Sequence, residues 1–143
     1  MVDLAVHSEK ESVTLGSIAM RENISEAYLE QLISKLKRAQ LVNSTRGAQG
    51  GYRLAKRAEE ISVGEVLTAL EGNLDAVQCP GLSEEGCQTG DLCVAKYVWQ
   101  KVNESIAQTV NGIYLSDLAE ESRRIRENTP DREQDQEKGS AEE

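Results

Sequence analysis

Apolar residues in the first third of the chain recur at helical spacing. Leu15, Ile18 and Ala19 follow Thr14, whose hydroxyl suits a helix N-cap, and together they predict a short amphipathic helix. Asn23 stands where that helix should end, since Asn tolerates left-handed backbone, and Ile24 follows as a turn residue able to plug the core. Ser25 is a second N-cap and opens SEAYLEQLISKLKRAQL. There Leu29, Leu32, Ile33 and Leu36 fall at i, i+3, i+4 and i+7, the stripe of a core-facing helix. Two helices joined by so short a turn make a helix-turn-helix. In LVNSTRGAQGGYRLA, two β-forming runs flank GAQGG, which predicts a hairpin with a glycine-rich tip. A helix-turn-helix followed by a hairpin is the winged arrangement. Ser62 and Glu65 form a capping box for a further helix carrying Val63, Val66, Leu67 and Leu70, with Gly72 as its stop.

Farther along, Leu92, Ala95, Trp99, Val102, Ile106, Thr109 and Ile113 alternate at spacings of three and four. That is a heptad-like seam. The chain beyond it is too short to cover such a stripe, so a second copy is its natural cover and a homodimer is expected. From Arg126 onward, RENTPDREQDQEKGSAEE has Ala141 as its one apolar residue, and burial cannot offset its ordering entropy. A disordered acidic tail is expected there. The expected fold class is mainly α with a small β-hairpin wing, a winged helix-turn-helix plus a long dimerisation helix. The expected division is a DNA-binding unit over 1–74, a cysteine loop over 75–91, the dimerisation helix and a C-terminal helix over 92–125, and the tail over 126–143.

Charge sharpens this picture. The net charge is −9, but residues 1–57 hold nine Lys/Arg against six Asp/Glu, while residues 58–143 hold seven against nineteen. A mildly basic first part beside an acidic second part hints at nucleic-acid contact through the winged unit. No apolar run approaches the ~20 residues that span a bilayer. MVDLAVHSEKES has neither the basic start nor the apolar stretch of a secretory signal. A cytoplasmic protein with reduced thiols is expected, with no membrane partner. The chain lacks a phosphate loop, a catalytic Cys–His pair and a paired carboxylate site, so no enzymatic activity is expected.

The second helix of a helix-turn-helix enters the major groove, with its first residues nearest the bases. Those residues include Ser25, Ala27, Tyr28, Glu30 and Gln31. Gln31 can pair bidentately with adenine and Glu30 can accept from cytosine, while Tyr28 and Ser25 suit a phosphate. Lys35, Lys37 and Arg38 follow where the backbone passes, and Arg46 and Arg53 flank the wing tip. The expected partner is double-stranded DNA with a two-fold operator, since two-fold proteins read two-fold sites.

All three cysteines lie within CPGLSEEGCQTGDLC, residues 79–93. Their odd number argues against a disulfide framework. The spacing C-x7-C-x5-C lacks the C-x-x-C pairs usual in structural zinc sites and does not repeat the ferredoxin spacings. Spacing alone leaves a three-thiolate metal or redox site, suited to zinc, Cu(I) or an iron–sulfur cluster.

Taken together, ISEAYLEQLISKL, STRGAQGGYRLA, ISVGEVLTALEG and the cysteine loop followed by Trp99 resemble the IscR-type winged-helix regulators, a family that includes NsrR and CymR. The resemblance covers roughly residues 2–118. It implies a homodimeric bacterial transcription regulator, expected to act as a repressor. Cys79, Cys87 and Cys93 would ligate an iron–sulfur cluster, 2Fe–2S being the form in IscR itself. IscR proper has a histidine three residues after the last cysteine as fourth ligand. Lys96 stands there instead, and its ammonium cannot coordinate unless deprotonated. The fourth ligand is left open among Glu84, Glu85, Asp91, a small exogenous thiol and a residue of the partner subunit. His7, the single histidine, is expected to be a surface group. Family members begin about a dozen residues earlier, with a basic amphipathic helix of which MVDLAVHS resembles the end. The alternative function is a cluster-free regulator of cysteine or sulfur metabolism, controlled by a partner protein or by thiol oxidation.

Overall fold

The computed structural model describes residues 1–129. Six helices and one hairpin follow in the order α1 (Val2–His7), α2 (Leu15–Glu22), α3 (Glu26–Arg38), β1 (Val42–Thr45), β2 (Gly51–Leu54), α4 (Val63–Glu71), α5 (Val94–Asn111) and α6 (Leu115–Glu127). Short 3-10 turns lie at Ala58–Glu60 and Pro80–Leu82. The winged helix-turn-helix is present as the sequence predicts.

Local chemistry sets its joints. The Thr14 hydroxyl accepts from the Ser17 N–H at 3.3 Å and starts α2. Asn23 closes it in left-handed backbone at φ 50°, and Ile24 then tucks against the core. Ser25 accepts from the Tyr28 N–H at 3.3 Å and starts α3. The two strands pair antiparallel, with Asn43 opposite Arg53 and Thr45 opposite Gly51. Ser62 and Glu65 cap α4 reciprocally, at 3.1 and 2.9 Å, and α4 ends at Gly72, φ 81°.

The core gathers Leu4 of α1, Ile18 and Ala19 of α2, Leu29, Ile33 and Leu36 of α3, Leu41, Val42 and the fully enclosed Ile61. Leu115 and Ala119 of α6 belong to the same core. Helix α6 returns to pack on α1, so residues on both sides of the expected boundary at residue 92 share one core. Two backbone bonds fasten it, from the Val63 N–H to the Ile113 carbonyl at 2.8 Å and from the Leu115 N–H to the Ile61 carbonyl at 3.0 Å. Helix α6 also runs to Glu127, past Arg126, where the tail was expected to begin. The rest of that expected tail, residues 130–143, lies outside the described residues.

Helix α5 starts at Val94 and stops at Asn111, so Leu92 precedes it and Ile113 follows it. Gly64 makes room for its far end, since a Cβ there would collide with the Asn111 amide.

An ion pair joins α1 to α2. Asp3, 4% exposed, accepts from Arg21 Nε at 2.7 Å and Nη2 at 2.8 Å. Burial pushes the Asp3 carboxyl up, but the bonds and charge of Arg21 outweigh it and hold the group below the usual carboxylate range. Its contribution to stability is therefore complete above the unfolded value of ~3.9 and is lost as pH falls through the lower folded value. Arg21→Met should destabilise the fold by about 2–3 kcal/mol at neutral pH by stranding a buried carboxylate. Without its cation Asp3 protonates more readily in the folded state, so the deficit should shrink on acidification. Urea midpoints measured across pH test this, and a deficit independent of pH would contradict it.

Candidate nucleic-acid interface and cysteine loop

Burial of Leu29, Ile33 and Leu36 fixes which side of α3 faces outward. One hundred degrees per residue puts Ala27, Gln31, Ser34 and Arg38 on the opposite, exposed face. Glu30 lies on the flank toward the wing, which it shares with Lys37. Tyr28, 53% exposed, and Lys35 lie on the flank toward α4. Ser25, the N-cap, is exposed at the helix start. Ser34 shares the outward face without having been among the residues expected at DNA. Its position three residues after Gln31, on the face away from the apolar stripe, was the available signal.

The cations divide by what they touch. Lys35 Nζ donates to the Leu70 carbonyl at the end of α4, at 2.9 Å. Lys37 Nζ donates to Ser44 Oγ in the wing at 2.8 Å. Arg38 makes no side-chain hydrogen bond among the described residues and stands exposed. In the wing, Arg46 is exposed beside a tip that glycine makes possible, since Gly47 has φ 111° and a Cβ on Gly50 would lie 2.6 Å from the Thr45 carbonyl. Arg53 is half-buried, and its Nη2 donates to the Lys10 carbonyl at 3.0 Å.

The cysteines occupy the segment that joins α4 to α5. Asn103 of α5 anchors its start, accepting from the Ala76 N–H at 3.0 Å and donating to the Val77 carbonyl at 3.2 Å. Tight turns follow, closed from Leu82 to Cys79 and from Gly90 to Cys87, both at 2.9 Å. Cys93 is the N-cap of α5. All three thiols are free; Cys79 and Cys93 are half-buried and Cys87 is exposed. Gly81 sits where three of these groups converge: a Cβ there would lie 3.2 Å from the Lys96 stem, 3.6 Å from Cys79 Sγ and 3.7 Å from Cys87 Cβ. Hydrogen bonds from the backbone and hydroxyl of Thr89, with the charge of Lys96, hold the Cys87 thiol below its ordinary range. Among the described residues, no three His, Cys, Asp or Glu side chains are gathered as a metal site. Glu84 and Glu85 line a groove with Cys79, and Asp91 is exposed. His7 belongs to α1, with Nε2 3.7 Å from Asp3.

On α5, Val102 and Ile106 are half-buried, so part of the expected interface turns toward its own domain, where α5 packs on α4, while Trp99 is exposed. Ala95 is exposed. An apolar strip of Leu92, Val94, Tyr97 and Val98 is left open beside it, from 49% to 91% exposed. No described helix is long and apolar enough to cross a membrane.

Comparison with known proteins matches residues 1–121 to Rrf2, described as an iron-dependent transcriptional regulator. Over 118 residues the chain is 46% identical to the HTH-type transcriptional regulator IscR of Serratia proteamaculans (strain 568), covering 82% of this chain and 71% of the relative. The IscR of Sodalis glossinidius is 43% identical over the same length, with 82% and 70% covered. Among solved structures, T. potens IscR superposes with TM-score 0.69 at 40% identity, covering 87% of this chain and 81% of that one. CymR, the global cysteine regulator of B. subtilis, gives TM-score 0.69 at 33% identity, covering 83% and 86%.

With α3 as the expected reading helix, its outward face and its two flanks set different expectations for its side chains. Gln31→Ala and Glu30→Ala should each change the motif recovered from a random duplex pool, since a good bidentate base contact discriminates by about 1–3 kcal/mol. Arg38→Gln should weaken all sequences alike and lower the salt slope by about one unit. Lys35→Gln loses a bond to α4 and should leave that slope near wild type. Identical motifs for wild type, Glu30→Ala and Gln31→Ala would contradict the assignment of α3.

Proposed function

The chain belongs to the Rrf2 family and is a transcriptional regulator of the IscR type, not an enzyme. From that premise we propose that it is a cytoplasmic, homodimeric repressor whose grip on a two-fold operator is set by an iron–sulfur cluster of the 2Fe–2S type held by Cys79, Cys87 and Cys93. One observation carries this reading: all three free thiols lie on the single segment between α4 of the DNA-binding unit and α5. The donor chemistry fits. Thiolates are the usual ligands of such clusters, and Thr89 and Lys96 hold the Cys87 thiol below its ordinary range. A bound cluster would supply a redox-active centre sensitive to oxidants. Lys96 does not complete the ligand set while protonated, so the fourth position is open to Glu84, Glu85, Asp91, a small thiol or a partner residue.

The protein's own residues would carry the signal. Asn103 and the Cys93 N-cap tie both ends of the loop to α5. Helix α5 packs on α4, and the end of α4 holds Lys35 of the reading helix. A change in the loop would thereby bias how the reading head sits, a local event with a global readout. The apolar strip of Leu92, Val94, Tyr97 and Val98 supports dimerisation through the α5 region. The same region includes the expected contacts Ala95, Trp99, Val102, Ile106 and Ile113.

A second reading is a cluster-free regulator of cysteine or sulfur metabolism, controlled by a partner protein or by oxidation of its thiols. The exposure of Cys87, whose thiol Thr89 and Lys96 hold below its ordinary range, favours it.

Anaerobic purification decides between them. The wild-type protein should carry iron and sulfide with visible absorption, Cys87→Ser should lose that absorption, and the coloured species should sediment as two chains. A colourless wild type, or a triple-serine variant that still binds stoichiometric iron and sulfide, would overturn the cluster reading. Sedimentation as a single chain would overturn the dimer.

A further inference from the structure

The segment before α2 is built into the wing. Val13 exchanges both backbone bonds with Tyr52 of β2, at 2.9 and 2.8 Å, so it lies as a third edge beside the hairpin. Gly51 permits the approach, since a Cβ there would lie 2.6 Å from the Val13 carbonyl. Arg53 holds the other end by donating to the Lys10 carbonyl at 3.0 Å. The result is one polar groove shared by the two segments, with Lys10, Arg46 and Arg53 against a single carboxylate, Glu11. Lys10, Glu11 and Arg46 are exposed, while the Arg53 guanidinium is committed to the Lys10 backbone.

We propose that this groove is a second phosphate-binding surface for duplex DNA, in which Lys10 contacts the backbone and Arg53 is a positioning residue that fixes the Lys10 loop beside the wing. The inference rests on the DNA-binding reading and deepens it. Its physical basis is charge and rigidity. A groove with more cations than carboxylates, one wall of which is a loop held from both ends, meets a polyanion without first having to order itself, and each neutralised phosphate releases counterions. Glu11 opposes the same contact.

The test is fluorescence anisotropy on a labelled duplex of random sequence over a range of salt concentrations, with thermal melting to establish that each variant is folded. Lys10→Gln should weaken binding and lower the salt slope by about one unit, whereas Glu11→Gln should strengthen binding. Arg53→Gln should also lower the slope by about one unit, and the double variant should fall no further, because both changes remove one contact. An unchanged slope for Lys10→Gln would overturn the surface. A double variant losing about two units would overturn the positioning role by showing that Arg53 makes a phosphate contact of its own. Should Arg53→Gln fail to fold, Lys10→Gln and Glu11→Gln decide the proposal, since both side chains are exposed. A wild-type protein that binds no duplex would overturn the DNA-binding reading and this inference with it.

Discussion

Three aliphatic side chains on one helix, Leu29, Ile33 and Leu36, are buried in the common core, and their burial sets how α3 is rotated about its axis. Each is worth about 1.5–3 kcal/mol relative to exposure. Rotating the helix by one residue would bring part of that stripe into water and carry Gln31 off the outward face. The reading face, the flank that meets the wing and the flank that meets α4 all follow from this constraint. Lys37 and Lys35 then add one hydrogen bond on each side, so α3 is held by its core stripe and by both neighbours.

The same core connects the cysteine loop to α3. Leu115 and Ala119 close the core beneath the winged unit. The chain reaches them only after passing through the cysteine loop and α5. Asn103, the Gly64–Asn111 approach and the Lys35–Leu70 bond form a continuous run of contacts from that loop to α3. Contiguity of this kind is a physical route for coupling, and measured coupling is its warrant.

Much of the winged unit was legible because its signals are local. Thr14, Asn23, Ser25, Ser62 and Gly72 each do what their side chain or backbone freedom predicts within one turn of chain. The partners of the charged groups were not legible. Arg53, expected at DNA, meets a carbonyl forty-three positions away, and Lys35 meets one thirty-five positions away. Such pairings depend on how elements pack, which spacing does not record. The seam on α5 shows the same limit: its periodicity identified a helix with an apolar stripe, yet part of that stripe turns toward the molecule's own domain. The cysteine loop stood out in the sequence as clustered thiols on one segment. Its turns and the convergence at Gly81 depend on backbone geometry that composition does not carry.

The central claim is that the cysteine loop governs DNA affinity. The most direct measurement is an anaerobic binding titration on a duplex selected from a random pool by the wild-type protein. It would compare wild type with the variant in which Cys79, Cys87 and Cys93 are all serine. The account predicts clearly different affinities for two proteins with identical reading helices. Equal affinities and equal salt slopes would contradict it.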